Sequence, residues 1–166
     1  MSKIYLDNAY YFITCATSQH KPFLENDLYK KIVFDKINEV LRDLDLSNLA
    51  TSIQNDHYHF LTKIDRKEKL GKLINLINGG SSYQINKLEN INRRLWGDYW
   101  MRIIENEMAL NKIIGYIVGN PLKHGIVKDF ERLRSYPYCT FDKLIVEKDK
   151  QTAEELVRSV IKLNFE

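Results

Sequence analysis

Two periodicities of apolar and polar residues divide this chain into predicted strands and helices. Residues 10–16 are mostly aromatic or β-branched, a composition typical of a β-strand. From residue 26 or 27 to about residue 44, apolar residues recur at the spacing of a helix. Residues 49–64 are again rich in strand-forming residues, and Asn55-Asp56 in their middle is typical of a turn. This third segment therefore predicts a β-hairpin.

The second half of the chain predicts one more strand and three more helices. These elements are 68–78 (helix), 99–104 (strand), 107–118 (helix) and 152–163 (helix). The Gly79-Gly80-Ser81-Ser82 run predicts that helix 68–78 is interrupted and resumes behind a serine cap. Asn106 is the predicted N-cap of helix 107–118, and Asn120-Pro121 is predicted to end it.

The order of these elements predicts an α+β fold. The order β-α-β-β-α-β-α is that of the ferredoxin-like split β-α-β motif, an antiparallel sheet, followed by an added helix. The 166 residues are 44% hydrophobic and 28% charged, as in an ordinary single globular domain. No apolar run approaches transmembrane length, and the first residues lack the apolar stretch of a signal peptide.

The distribution of charge and the cysteine content indicate which partner and which cellular compartment to expect. Between Lys63 and Arg134 there are 14 Lys and Arg against 8 Asp and Glu, although the whole chain has a net charge of only +3. A polyanion would bind along this basic part, while the alternative is a solvated surface with a mild bias. Cys15 and Cys139 lack metal-binding spacing, so we expect free thiols in a cytoplasmic protein.

The sequence Asp56-His57-Tyr58-His59 contains the strongest chemical signal. Residues two apart in a strand project from the same face, so His57 and His59 can bind one metal ion together. The alternative is a pair of histidines that make ordinary hydrogen bonds at a strand end.

A second signal lies on the helix that begins after Asn106. On a helical wheel its isoleucines and valine form one apolar arc, whereas Lys112, Tyr116 and Asn120 fall on a different line. Tyr116 is therefore predicted to lie off the core face, beside groups that bind phosphate or metal. Gly115 and Gly119 indicate either close packing of a neighbouring strand or mobility. A phenol needs activation to act as a nucleophile, and a divalent metal bound to a phosphodiester would assist it.

Both signals resemble the motifs of one family. His57-Tyr58-His59 is similar to the His-hydrophobic-His motif of the HUH single-strand nucleases. Residues 116–127 resemble the Tyr-Ile-x-x-Asn-Pro-x-x-Ala-Gly-Leu-Val signature of their single-tyrosine, IS200-like transposases, and are most similar to the REP-associated tyrosine transposases. The resemblance extends from about Tyr10 to Phe141, and the two motifs together are specific where either alone is not.

The resemblance implies a function, a cofactor and a partner. His57, His59 and Asn120 would hold Mg²⁺ or Mn²⁺, and Tyr116 would attack single-stranded DNA, next to a hairpin, and become linked to its 5′ phosphate. The protein would be a cytoplasmic, nucleoid-associated monomer or homodimer, with a catalytic domain at 1–142 and a helical extension of it at 143–166. The candidate DNA contacts are Arg93, Arg94, Arg102, Lys112 and Lys123.

The chain also departs from the family pattern. His124 stands where relatives have alanine, and Asp56 precedes the histidines in place of the usual asparagine. The roles of these two residues stay open, although Asp56 could also touch the metal.

Two other functions compete with this interpretation. A non-catalytic nucleic-acid-binding module would use Tyr11, Phe12, Tyr58 and Phe60 to stack bases. A phosphoesterase acting on small nucleotides is the third class, but its two-histidine type needs a second His-x-Thr/Ser element that the chain lacks.

Overall fold

A four-stranded antiparallel sheet forms the centre of the molecule. The structure, a computed structural model, describes residues 4–165. The strands lie in the order β2-β3-β1-β4 and span Ala9–Thr17 (β1), Ala50–Ile53 (β2), His57–Ile64 (β3) and Trp96–Ile104 (β4). Residues 1–3 and 166, which belong to the predicted segments 1–142 and 143–166, lie outside the described residues.

Among residues 4–165, three long α-helices connect and follow the strands, and three shorter α-helices lie between Phe130 and Val160. They are α1 (Asp27–Asp43), α2 (Glu68–Glu89), α3 (Glu107–Lys123), α4 (Phe130–Arg134), α5 (Phe141–Lys148) and α6 (Lys150–Val160). The order β1-α1-β2-β3-α2-β4-α3 confirms the predicted ferredoxin-like α+β fold with an added helix. No helix within residues 4–165 is long and apolar enough to cross a membrane.

The sheet has a buried core on each face. Side chains alternate between the two faces of a strand, so Tyr11 and Ile13 of β1 pack towards α1 and α2, whereas Phe12 packs towards α3. Helices α4 to α6 complete the second core beside α3. The candidate active-site residues lie on this second face.

The predicted interruption of α2 at Gly79-Gly80 is wrong, because the helix runs unbroken through both glycines. A stripe of buried residues continues from Ile77 through Ser81 to Ile85. The Ser81 hydroxyl donates to the Ile77 carbonyl at 2.7 Å instead of capping a new helix. Burial of the stripe offsets the helix cost of about 1 kcal/mol for each glycine.

The predicted end of α3 at Asn120-Pro121 is also wrong. Pro121 lies inside the helix, which continues to Lys123, and the His124 N–H donates to the Asn120 carbonyl at 3.0 Å. A proline removes a single backbone donor, and the packing of the surrounding turn maintains the helix here. Tyr116 and Asn120 consequently lie one turn apart on a continuous helix.

Gly115 and Gly119 permit the close approach of a helix rather than of a strand. A Cβ atom at Gly115 would lie 2.8 Å from Leu156 Cγ, and one at Gly119 would lie 2.7 Å from Val157 Cγ1. Both neighbours belong to α6 (Lys150–Val160), which corresponds to the predicted helix 152–163 with its bounds shifted by two or three residues. Helices α4 and α5 were not predicted, because so few turns give little periodic signal.

Candidate active site at the buried face of the sheet

The two histidines occupy the start of β3 and face α3. In the register of the antiparallel pair, His57 lies opposite Ala16 and His59 lies opposite Thr14. The hairpin is closed by the Gln54 N–H, which donates to the His57 carbonyl at 2.8 Å. The two imidazole centroids are 4.7 Å apart. The predicted arrangement of both rings on one strand face is confirmed.

A neighbouring oxygen holds the Nδ1 atom of each ring. His57 Nδ1 lies 2.6 Å from Asp56 Oδ1, and His59 Nδ1 lies 2.8 Å from Thr14 Oγ1. Such partners fix the orientation of an imidazole and direct its Nε2 atom to the other side. Asp56 therefore contacts the candidate site through the His57 ring.

Asn120 meets the histidines from α3. Its side chain is fully buried, and its Nδ2 donates to the Tyr116 carbonyl at 3.3 Å. The amide oxygen thereby faces the rings, at 3.4 Å from His57 Nε2. The sequence-predicted group His57, His59 and Asn120 is thus brought together in space.

The chemistry of these atoms fits a divalent cation. When His57 donates from Nδ1 to the Asp56 carboxylate, its Nε2 becomes an acceptor that faces a second acceptor, the Asn120 oxygen. A cation between two acceptors satisfies both. Burial, reinforced by the nearby His57, holds the pKa of His59 well below its usual value, and the neutral imidazole is the form that binds metal.

The third predicted ligand is an amide rather than a further histidine or carboxylate. Within residues 4–165, no three His, Cys, Asp or Glu side chains form a group that could hold a metal ion. The proposed set of two imidazoles and one amide oxygen therefore depends on Asn120.

Tyr116 lies next to the histidines but is more deeply buried than its position on the helical wheel predicts. It is only 2% exposed, and its ring centroid lies 5.7 Å from that of His59 and 6.1 Å from that of Phe12. The prediction that it lies off the core is wrong, because α3 is covered on several sides. One cover is Phe165, whose ring centroid is 5.0 Å away.

Lys123 also covers the tyrosine. Its Nζ lies 4.6 Å from the Tyr116 ring centroid and 3.3 Å from the phenol oxygen, to which it donates. The same ammonium donates to the Leu163 carbonyl at 2.8 Å. Lys123 therefore joins the candidate nucleophile to the chain segment that precedes Phe165.

A cleft of about 550 Å³ opens beside these residues. Its lining includes side chains from β1, the β2–β3 turn, β3, β4, α3 and the C-cap of α3: Thr14, Asp56, His57, Trp100, Tyr116 and His124. The rings of His57 and His124 are 4.9 Å apart. The sequence pattern assigns no role to Thr14, although its place opposite His59 would follow from pairing the two predicted strands.

Comparison with known proteins places the chain in a family. The sequence profile of the family described as "Transposase IS200 like" matches residues 5–120. The chain belongs to the IS200-like transposase family. This transposase matches no curated protein.

Solved structures support the fold of this transposase. A REP-associated tyrosine transposase bound to a REP hairpin is 20% identical, with a TM-score of 0.70 over 89% of this chain and 85% of that one. A candidate transposase of Deinococcus radiodurans R1 is 14% identical, with a TM-score of 0.51 over 66% and 89%. The tRNA(His) guanylyltransferase of Saccharomyces cerevisiae is 13% identical, with a TM-score of 0.54 over 99% and 82%.

The five basic residues predicted to bind DNA divide into two groups. Arg93 forms an ion pair of 2.7 Å with Glu89, and the Arg94 Nε donates to the Trp96 carbonyl at 2.9 Å, so both have structural partners. The other three lie at or beside the site. Lys123 lines the cleft, and Arg102 and Lys112 line a neighbouring depression of about 390 Å³.

Proposed function

We propose that this IS200-like transposase cleaves and rejoins single-stranded DNA, with Tyr116 as nucleophile and a divalent metal held by His57, His59 and Asn120. The observation that carries the proposal is the meeting of these four side chains. The 3.4 Å separation of His57 Nε2 and Asn120 Oδ1 joins β3 to α3, and the ring of Tyr116 lies 5.7 Å from that of His59. Residues far apart in sequence thus form one site.

The proposed reaction transfers a phosphoryl group between two oxygens. The Tyr116 phenol oxygen attacks the phosphorus and forms a new P–O bond, and the bond to the 3′ oxygen breaks. The phenol loses its proton to water, and the departing 3′ oxygen takes a proton from water to become a 3′-hydroxyl. The product is a 5′-phosphotyrosine, which keeps a reactive ester, so that a 3′-hydroxyl can reverse the step.

Lys123 and the ligand residues would each assist this step. The Lys123 ammonium, 3.3 Å from the phenol oxygen, lies where negative charge accumulates as the proton leaves. His57, His59 and Asn120 would hold Mg²⁺ or Mn²⁺, which when bound polarises the phosphate and offsets its developing charge. Asp56 and Thr14 would position the two imidazoles.

Access to Tyr116 requires a local movement. Phe165 and Lys123 cover the ring, and only 2% of the residue is exposed. The segment 163–165 must therefore leave the tyrosine before a phosphate can reach it. The cleft beside His57 is open and can receive the DNA backbone first.

DNA with an unpaired segment next to a hairpin is the substrate that we propose. The similar REP-associated transposase is bound to a REP hairpin. The nucleophile must approach phosphorus in line with the leaving oxygen, which an uninterrupted duplex would hinder. Basic side chains beside the cleft are suited to a flexible, unpaired backbone.

The structure argues against the non-catalytic alternative in the form that the sequence suggested. Tyr11, Phe12, Tyr58 and Phe60 are all fully buried. They fill the two cores and offer no ring face to a base. A nucleic-acid surface on this protein must use other side chains.

Formation of a covalent protein–DNA adduct tests the proposed function. A DNA hairpin with a single-stranded flank is incubated with the protein and Mn²⁺, and the products are separated on a denaturing gel. We expect an adduct and a free 3′-hydroxyl end, and neither with excess EDTA. A fully paired version of the same sequence should give little adduct. Equal adduct from both DNAs, or undiminished adduct in EDTA, would contradict the proposal.

A further inference from the structure

The edge strand β4 presents an exposed row of side chains on the same sheet face as the candidate site. Asp98, Trp100 and Arg102 alternate with more protected residues along the strand. Trp100 lies opposite Thr14, which in turn lies opposite His59, so the three side chains share one row across the sheet. Helix α3 covers this face over β2 and β3, and leaves Trp100 36% exposed.

The indole of Trp100 is held at one side and open at another. Phe12 contacts it edge-on at a centroid distance of 5.5 Å and an interplanar angle of 79°. Phe12 also contacts the ring of Tyr116. Trp100 and Tyr116 line the same cleft, so a flat apolar surface lies beside the candidate nucleophile.

Two cations lie beyond Trp100, Arg102 on β4 and Lys112 on α3. Arg102 and Lys112 line the depression of about 390 Å³, together with Glu105 and Phe165. Both side chains are exposed, and neither has an ion-pair partner among residues 4–165. Phe165 contacts Tyr116, so the depression and the cleft adjoin at the covered nucleophile.

We propose that Trp100 stacks on the base of an unpaired nucleotide next to the phosphate that is cleaved, while Arg102 and Lys112 bind a neighbouring phosphate. This inference rests on the proposed function and extends it to a nucleotide subsite. Every base has a π-face, so stacking gives affinity and position without demanding one base. Arg102 and Lys112 add charge that a polyanion can neutralise.

Binding measurements in a Tyr116→Phe background test the subsite, because this background removes turnover. Trp100→Leu keeps an apolar side chain without a ring, and Trp100→Phe keeps a ring. For a single-stranded flank we expect Trp100→Leu to weaken affinity about 5- to 150-fold and Trp100→Phe much less. Thermal melting checks that each variant is folded.

A scan of abasic nucleotides along the flank tests stacking directly. One abasic position should weaken binding to the Trp100 protein by about the same factor as Trp100→Leu. In the Trp100→Leu protein the same abasic position should weaken DNA binding little further, because the substitution and the missing base remove the same interaction. Full additivity at every position would overturn the proposal.

Tryptophan fluorescence gives a readout independent of affinity. The chain has two tryptophans, and Trp96 is almost buried. DNA binding should quench the tryptophan fluorescence of the protein that has Trp100. The fluorescence of Trp100→Phe should stay nearly unchanged, while the anisotropy of labelled DNA shows that this variant still binds. If Trp100→Leu fails to fold, the fluorescence measurement and the abasic scan on the protein that keeps Trp100 still test whether the indole stacks on a base.

The cations have a matched control. Arg102→Gln and Lys112→Gln should each reduce the slope of log affinity against log salt by about 1. Lys72→Gln, on α2 at the opposite face of the sheet, should not change it. An unchanged slope in the first two variants would overturn their assignment.

Adduct formation by the protein that keeps Tyr116 distinguishes failure of the Trp100 subsite from failure of the proposed nuclease function. Adduct formation without quenching and without a sensitive abasic position would overturn the subsite and leave the proposed function standing. Absence of both adduct and single-strand binding would overturn both. Quenching without an adduct would support a nucleotide-binding surface and contradict the nuclease.

Discussion

The contact between α3 and α6 predicts that alanine at Gly119 is destabilising. In Gly119→Ala the new Cβ would lie 2.7 Å from Cγ1 of Val157, a fully buried and β-branched side chain that has little freedom to move. Such overpacking costs about 1–3 kcal/mol, whereas replacing glycine by alanine in a helix gains about 1 kcal/mol. We therefore expect Gly119→Ala to lower the free energy of unfolding by about 1 kcal/mol.

Gly79→Ala is the matched control. Gly79 also lies inside a helix, but within residues 4–165 no atom outside its own stretch of helix backbone lies within 4 Å of the added Cβ, so only the helix gain applies. For a domain of this size 1 kcal/mol corresponds to about 2–4 °C in Tm. Thermal unfolding should show a decrease of about that size for Gly119→Ala and an increase for Gly79→Ala. A Gly119→Ala protein as stable as Gly79→Ala would show that the new Cβ does not clash with Val157.

Three further predictions concern the site. Phe165→Ala removes an aromatic contact worth about 0.5–1.5 kcal/mol, so adduct formation should accelerate about 2- to 12-fold, and an unchanged rate would show that Phe165 does not limit access to Tyr116. Burial lowers the pKa of His59, so below its ordinary pKa near 6.5 the unfolded chain binds a proton that the folded chain does not. Stability without metal should therefore fall as the pH falls from about 7 to 5, and this pH dependence should be weaker in His59→Gln; equal slopes would contradict the assignment. Mn²⁺ should support adduct formation at lower concentration than Mg²⁺, because imidazole nitrogens suit it better; equal requirements would argue against histidine ligands.

The periodicity of the sequence was sufficient for the central fold. Strand composition near Tyr10, helical spacing after Asn26 and the Asn55-Asp56 turn each identified an element that the structure contains. The errors arose at Gly79-Gly80 and at Pro121, where local preference favours a break. In both places buried neighbours stabilise the helix, and that packing is not visible in a local pattern.

The sequence was sufficient to predict which residues meet at the candidate site, but not how deeply Tyr116 is buried there. The spacing of His57 and His59 fixed their common face, and the structure brings Asn120 to them. The burial of Tyr116 was missed because a wheel considers one helix alone, whereas Phe165 covers that helix from a distant part of the chain. The roles of the site residues and the division at residue 142 stay predictions.

Peptide mapping of the adduct identifies the residue that carries the DNA. The adduct formed with Mn²⁺ and hairpin DNA is digested with protease and nuclease, and the modified peptide is identified by mass spectrometry. We expect the nucleotide on Tyr116 alone among the ten tyrosines, and no adduct from a folded, DNA-binding Tyr116→Phe variant. A nucleotide on another tyrosine, or an adduct that persists in Tyr116→Phe, would contradict it.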